Sequence, residues 1–117
     1  MNMKIDIKDI SKKKTVTRDE GEIIQKIINE AWDKEEKFII DFDNVLVASV
    51  SFMDEAFGKL VLRHTKEDLQ KKLKFEHIVD YDKALLNDIL FSRFRQHELG
   101  EDGPAIYKGK LKKQKAI

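Results

Sequence analysis

The stretch that decides the fold covers residues 38–52 and reads FIIDFDNVLVASVSF. Its first half is a short apolar run rich in aromatic and β-branched residues, which predicts a strand over residues 37–42 that is buried on both faces. Asp43 and Asn44 then supply residues that favour a turn. A helix is predicted next, with Ser51 as its N-cap and with Asp54 and Glu55 near its positive end.

Strands and helices alternate on both sides of this stretch. The segment MKIDIKDI, residues 3–10, alternates apolar with charged residues, as a half-buried strand does. Thr17 stands three residues before Glu20, the spacing of a capping box, so we expect a helix from there through about Trp32. The buried stripe of this helix is predicted to comprise Ile23, Ile24, Ile27, Ile28 and Ala31.

Two more elements complete the predicted pattern. The segment LKFEHIV predicts a third strand, in which Leu73, Phe75 and His77 alternate, and DYDKALLNDILFSRFRQ predicts a third helix. Strands separated by helices imply right-handed crossovers and a largely parallel sheet. We therefore predict a small α/β domain over residues 1–99, in which a mixed, mostly parallel sheet packs with about three helices. Residues 100–117 are predicted to form a basic, flexible tail.

The apolar faces of the second and third helices can be assigned from their periodicity. The predicted buried residues of the second helix are Phe52, Ala56, Phe57, Leu60 and Val61, and those of the third helix are Leu85, Leu86, Ile89, Leu90, Phe91 and Phe94.

Composition excludes several classes of protein. The chain has 117 residues, 41% of them hydrophobic and 38% charged, with a formal net charge of +1, so it suits one globular domain rather than a disordered chain. This balance does not favour binding to nucleic acid. The chain has no cysteine and no apolar stretch approaching the roughly 20 residues that cross a bilayer, and its first residues lack the apolar core expected of a signal peptide. We expect a soluble, cytoplasmic protein that does not associate with membranes.

Two acids at the end of the central strand suggest one enzymatic hypothesis. The segment IIDFDNVLV resembles the first motif of haloacid-dehalogenase-type phosphatases, a hydrophobic strand that ends in Asp-x-Asp. That resemblance implies Asp41 as nucleophile and Asp43 as general acid, with Mg²⁺ at their carboxylates. However, a strand and a helix precede this segment, and only one clear strand follows it to carry the other catalytic groups. We keep the phosphatase as an alternative.

A second resemblance covers more of the chain. DFDNVLVASVSFMDEAFGKL is similar to the STAS-like family of bacterial regulatory domains, in particular to an uncharacterised branch with the pattern Asp-Phe-x-x-Val, then Ser-Phe-x-Asp-Glu, then an apolar residue and Gly. The flanking helices and the third strand also resemble the family, so residues 3–95 match in order. The residues that carry the pattern are Asp41, Phe42, Val45, Ser51, Phe52, Asp54, Glu55, Phe57 and Gly58.

The STAS-like resemblance implies a non-catalytic regulatory module that acts through protein–protein contacts. The implied partner is an anti-sigma factor or a kinase-type ATPase, and neither catalytic residues nor a cofactor are expected. In related anti-sigma-factor antagonists a serine near this helix start is phosphorylated. The matching positions here are Val50, which cannot accept a phosphate, and Ser51, where nearby Asp54 and Glu55 would repel one. The candidate partner-binding residues are Ser49, Ser51, Asp54, Glu55 and Lys59.

The remaining polar residues give weaker signals. His64, His77 and His97 lie far apart in the sequence, and none has a second ligand at the spacing of a metal site, so no metal is expected. The lysine-rich segment of residues 108–115 suggests nucleic-acid binding as a further alternative. It has little aromatic interleaving, and a solvated tail is the simpler interpretation.

Overall fold

The computed structural model describes residues 1–11 and 15–100 of the protein. The predicted tail therefore lies outside the described residues, apart from Gly100. The elements in chain order are β1 (Asn2–Asp6), α1 (Ile7–Ile10), β2 (Thr15–Val16), α2 (Arg18–Ala31), β3 (Lys37–Asp41), β4 (Val47–Ala48), α3 (Val50–Ala56), a 3₁₀ segment (Gly58–Leu62), α4 (Lys66–Lys72), β5 (Leu73–Glu76) and α5 (Asp80–Glu98).

The main sheet has three parallel strands in the order β1-β3-β5, so β3 is central. Each crossover between them carries at least one helix, as parallel pairing requires. A second, two-residue parallel ladder joins β2 to β4. The prediction of a small α/β domain with a mostly parallel sheet is confirmed.

The core combines residues of the central strand with residues of α2, α3 and α5. Phe38 and Ile40 of β3 are fully buried, because β3 has a strand on each side and helices against it. Four aromatic rings pack together beside the end of β3, with centroid separations from 5.2 Å to 6.4 Å. These rings belong to Phe42, Phe52, Phe57 and Phe75.

The second predicted helix is divided in the structure. α3 ends at Ala56 and a 3₁₀ segment follows, so the prediction of one continuous helix was wrong. Gly58 lies at the break, where a Cβ atom would meet the Asp54 carboxylate and the Ile89 side chain. Helix α4 was not predicted, and Thr65 caps it by accepting a hydrogen bond from the backbone N–H of Asp68.

The start of α3 also differs from the prediction. Ser49, not Ser51, is the N-cap residue, and its Oγ accepts a hydrogen bond of 3.0 Å from the backbone N–H of Phe52. The helix therefore starts earlier than expected, at Val50, and Asp54 falls beyond its first turn.

Most of the buried face that was predicted for α2 is confirmed. Ile24 and Ile28 are buried, but Ile23 is exposed, so its assignment to the buried stripe was wrong. The predicted capping box is also only partly formed. The Thr17 hydroxyl donates to the Glu20 carboxylate at 2.9 Å and makes no bond to a helix N–H.

Candidate functional site

The three strands of the main sheet end together in acidic residues. In the ladder register, Asp6 pairs with Asp41 and Asp41 pairs with Glu76. We call this the carboxyl edge of the sheet. Register partners in a parallel sheet point to the same face, so these carboxylates are neighbours and repel one another. Lys4, two residues before Asp6 in β1, faces the same row, and its pKa is raised first by its hydrogen bond with Asp41 and then by these negative charges.

Asp41 is the most enclosed of these acids, with 5% of its surface exposed. Its Oδ1 accepts hydrogen bonds from the backbone N–H of Asp43 at 2.9 Å and from Nδ1 of His77 at 2.8 Å. The Nζ of Lys4 lies 3.4 Å from its Oδ2. Burial acts to raise the pKa of Asp41, but the bonds from Asp43, His77 and Lys4 outweigh it and lower this pKa to about 2. Asp41 is therefore a carboxylate over the whole physiological range.

His77 reaches Asp41 through an unusual backbone conformation. It follows the last residue of β5 and has a φ of 54°, in the left-handed region that few residues other than glycine adopt. Its side chain is largely exposed to solvent, and the pKa of its ring is raised, first by the hydrogen bond to Asp41 and then by the charge of that carboxylate. The sequence analysis expected His77 to continue the alternation of the strand, whereas β5 ends at Glu76.

Asp43 does not join its carboxylate to that of Asp41. It contributes its backbone N–H to Asp41, and its side chain lies 3.8 Å from the Nζ of Lys8. The donor atoms that do come together are those of Asp41, Glu76 and His77, which all lie within 4.8 Å of one another. The acidic grouping at this edge thus differs from the Asp-x-Asp pair seen in the sequence.

The segment between β3 and α3 presents apolar side chains to solvent. We call residues 46–51 the β3–α3 corner. Leu46, Val47 and Val50 are 70%, 53% and 57% exposed. Ser51 is also exposed, while the Ser49 hydroxyl is occupied as the cap of α3. The corner therefore combines a free hydroxyl with three solvent-facing aliphatic groups.

Asp54 and Glu55 face the interior of the protein and not the start of α3, contrary to expectation. Arg93 of α5, which is buried, donates from Nε at 2.8 Å and from Nη2 at 2.6 Å to the two oxygens of Asp54. This is the bidentate geometry in which arginine binds a carboxylate most strongly. It joins α3 to α5.

Glu55, which is buried, joins α3 to α2 and to the 3₁₀ segment. Its carboxylate lies 3.2 Å from Nε of Arg18 and 2.8 Å from Nζ of Lys59, and it accepts a hydrogen bond from Gln25. Burial acts to raise the pKa of Glu55, but the contacts with Lys59 and Arg18 outweigh it and lower this pKa. Lys59 and Glu55, both predicted as partner-binding residues, thus contact each other.

A family model described as a STAS-like domain of unknown function (DUF4325) matches residues 21–83. The chain belongs to this family. The matched segment begins in α2 and ends in the first turn of α5, so it contains β3, the β3–α3 corner and the Asp41–His77 contact. Neither the curated proteins nor the solved structures include a significant match. Among the described residues, no helix has the length and apolar character needed to cross a lipid bilayer.

Two features of this STAS-like domain could not be found from its sequence. Glu76 and His77 lie 35 and 36 residues after Asp41, and the β3–β5 register alone brings them to it. Arg93 lies near the C-terminal end of α5, where a basic residue suits the helix dipole, yet it is buried against Asp54.

Proposed function

We propose that this STAS-like domain is a non-catalytic regulatory module that binds another protein through the β3–α3 corner. The observation that carries the proposal is the exposure of Leu46, Val47 and Val50 within five consecutive positions. Single exposed apolar residues are common on protein surfaces, but a contiguous group is typical of an interaction site.

The structure around the corner supports this proposal, because it holds the apolar group in one conformation. The Ser49 cap sets the first turn of α3, and Phe52 is fully buried beneath it. The contacts of Asp54 with Arg93 and of Glu55 with Lys59 hold the rest of the helix. A surface that is already ordered loses little conformational entropy on binding. We therefore assign Ser49, Asp54, Glu55 and Lys59 the role of shaping the surface, and Ser51 that of direct contact.

A second exposed group lies at the start of α5. Val79 and Tyr81 follow β5 and are 60% and 79% exposed. Both the corner and this segment follow strands that end at the carboxyl edge, and loops at that edge commonly carry binding residues. Tyrosine is enriched at protein interfaces, because it combines a large apolar ring with a hydroxyl.

The resemblance to STAS-like regulatory domains supports a bacterial, cytoplasmic setting and a partner of the kinase-type ATPase or anti-sigma-factor class. Ser51 is the hydroxyl that such a kinase would phosphorylate on this surface, since it is exposed and Ser49 is engaged as a cap. A phosphate there would place up to about two negative charges among the aliphatic side chains and would weaken an apolar contact.

Binding to a candidate ATPase or anti-sigma factor tests the proposal. Val50→Asp should weaken binding at least about tenfold, because it places a charge within the apolar group. Ile23→Asp is the matched control, since Ile23 is exposed on α2, and it should bind as the unaltered protein does. If Val50→Asp and Ile23→Asp bind equally well, the corner is not the contact surface. Ser51→Asp should weaken binding in the same assay.

The phosphatase alternative has less support from the geometry. Its nucleophile, Asp41, is almost fully buried, and its oxygens face the backbone N–H of Asp43, the ring of His77 and the Nζ of Lys4. Hydrolysis of a generic phosphate ester with Mg²⁺ that is lost in Asp41→Asn would support the alternative. The nucleic-acid alternative depends on residues 104–117, which lie outside the described residues. It predicts salt-dependent binding that disappears when those residues are deleted.

A further inference from the structure

The carboxyl edge brings together three side chains of the types that bind metals. Donor atoms of Asp41, Glu76 and His77 lie within 4.8 Å of one another. The closest pair, Oδ1 of Asp41 and Nδ1 of His77, is 2.8 Å apart. Ligands at about 2.0–2.2 Å from one tetrahedral metal ion lie roughly 3.4 Å from each other, so these two atoms would need to separate by only about half an ångström. Glu76 is exposed and can adjust its rotamer to complete the set.

We propose that Asp41, Glu76 and His77 form a binding site for a divalent transition-metal ion, of which Zn²⁺ is the best representative. The presence of a histidine nitrogen decides the class, because Mg²⁺ and Ca²⁺ are bound mainly by oxygen whereas imidazole suits Zn²⁺ and its neighbours. The proposal concerns a different set of atoms from the β3–α3 corner and does not depend on the proposed function.

The charge around the three ligands favours a cation. Carboxylates of Asp6, Asp41 and Glu76 stand in one row across the ends of the three strands, and like charges in such positions repel. Lys4 is the cation of β1 that faces this row. Of these three carboxylates, Lys4 contacts that of Asp41, so it offsets the repulsion among them only in part. A divalent ion between Asp41 and Glu76 would relieve more of that repulsion.

Lys4 provides a further test of the site, because its ammonium group competes with a metal ion for the carboxylate of Asp41. Its Nζ lies 3.4 Å from Oδ2 of Asp41, and its side chain is about half exposed, so it can turn towards solvent when an ion binds. Removing its charge should therefore strengthen metal binding. A purely structural role for the Asp41–His77 contact predicts no such gain.

Calorimetric titration of the chelator-treated full chain with ZnCl₂ tests the site. We expect saturable binding of one ion, weakened at least about tenfold in His77→Ala and in Glu76→Gln, which remove one ligand each. His97→Ala, which replaces a histidine near the end of α5, is the matched control and should bind as the unaltered chain does. Lys4→Met should bind more tightly than the unaltered chain.

Several results of the same titration would overturn the proposal. These are the absence of saturable zinc binding below about 1 mM, equal affinities of His77→Ala and His97→Ala, and a tighter response to Mg²⁺ than to Zn²⁺. Circular dichroism and metal-free unfolding verify that each variant is folded. Glu76 and His77 are exposed, so their substitution should leave the fold intact.

Discussion

The carboxyl edge around Asp41 and the buried contacts of α3 use acids in opposite ways. Asp54 meets Arg93, whose side chain is only 7% exposed, so their contact is closed to solvent from the arginine side. Asp41 is itself buried, but its partners Lys4 and His77 are mostly exposed. An acid with a buried partner joins two elements permanently, whereas an acid with exposed partners can exchange them for a ligand. Asp54 is therefore a structural residue and Asp41 a candidate binding residue, although both lie in one short stretch of sequence.

The largest expected effect lies at the closed contact. Arg93→Met leaves the Asp54 carboxylate without its bidentate partner, which we expect to lower the free energy of unfolding by about 3 kcal/mol. Urea denaturation measures this loss. Arg95→Met is the matched control on the exposed side of the same helix and should have little effect. If the two substitutions cost the same, the Asp54–Arg93 contact does not hold α3 to α5.

The next effect lies where α2 approaches α3. A Cβ atom on Gly21 would come 2.7 Å from the backbone oxygen of Phe52, so the two helices can pack this closely only with a glycine. Gly21→Ala should destabilise the protein by about 1–2 kcal/mol, because overpacking outweighs the higher helix propensity of alanine. Thermal unfolding measures the change, with Glu22→Ala as a control at an exposed neighbour. A stabilised Gly21→Ala variant would show that the helices can move apart at no cost.

A smaller effect is expected at the open edge. Asp41→Asn keeps an oxygen for the Asp43 N–H but removes the charge that faces Lys4 and His77. Because those partners are exposed, the loss of stability should be about 1 kcal/mol, clearly below that of Arg93→Met. Urea denaturation in buffer that contains a chelator measures it, with Asp43→Asn as the control. A loss as large as that of Arg93→Met would erase the distinction between the two regions.

The smallest effects are expected in the pH dependence of the chelated protein. The pKa of Asp41 is lowered from 3.8 to about 2, so its contribution to stability is fully present above pH 4 and is lost as the pH falls towards 2. The pKa of His77 is raised, so its contribution has the opposite sign: it is present below its ordinary value of 6.5 and is lost as the pH rises through the raised value. Unfolding across pH, compared with Asp41→Asn and His77→Ala, measures both. If Asp41→Asn loses as much stability between pH 4 and pH 2 as the unaltered protein does, Asp41 is not the group responsible for that loss.

Much of the fold could be predicted from local patterns. The long helices and the three main strands were found, because each carries a periodic apolar pattern or a dense apolar run. The short elements were missed for the same reason. β2 and β4 contain two residues each, which is too few for any periodicity, and α4 has Leu69 as its one buried residue.

The candidate site was predicted less well than the fold. The stretch of residues 41–55 was singled out as the segment that carries the candidate site, but the partners of its polar residues lie in β1, in α2, directly after β5 and in α5. Asp54 and Glu55 were therefore interpreted as surface groups at a helix start. The start of α3 itself was misplaced by two residues, because Ser49 and Ser51 are both good caps by type, and only the structure shows that Ser49 accepts the N–H of Phe52.

The sequence by itself determined that this chain alternates strands with helices, buries the run that ends at Asp41, and belongs among STAS-like domains. The first two properties follow from periodicity and residue type, which act over a few neighbouring positions, and family membership follows from the match over residues 21–83. Only the tertiary structure decided that Asp41 meets His77 and Lys4 while Asp54 meets Arg93. Strand register and helix packing set these contacts between residues that lie more than thirty positions apart in the chain, whereas a local sequence pattern spans only a few positions.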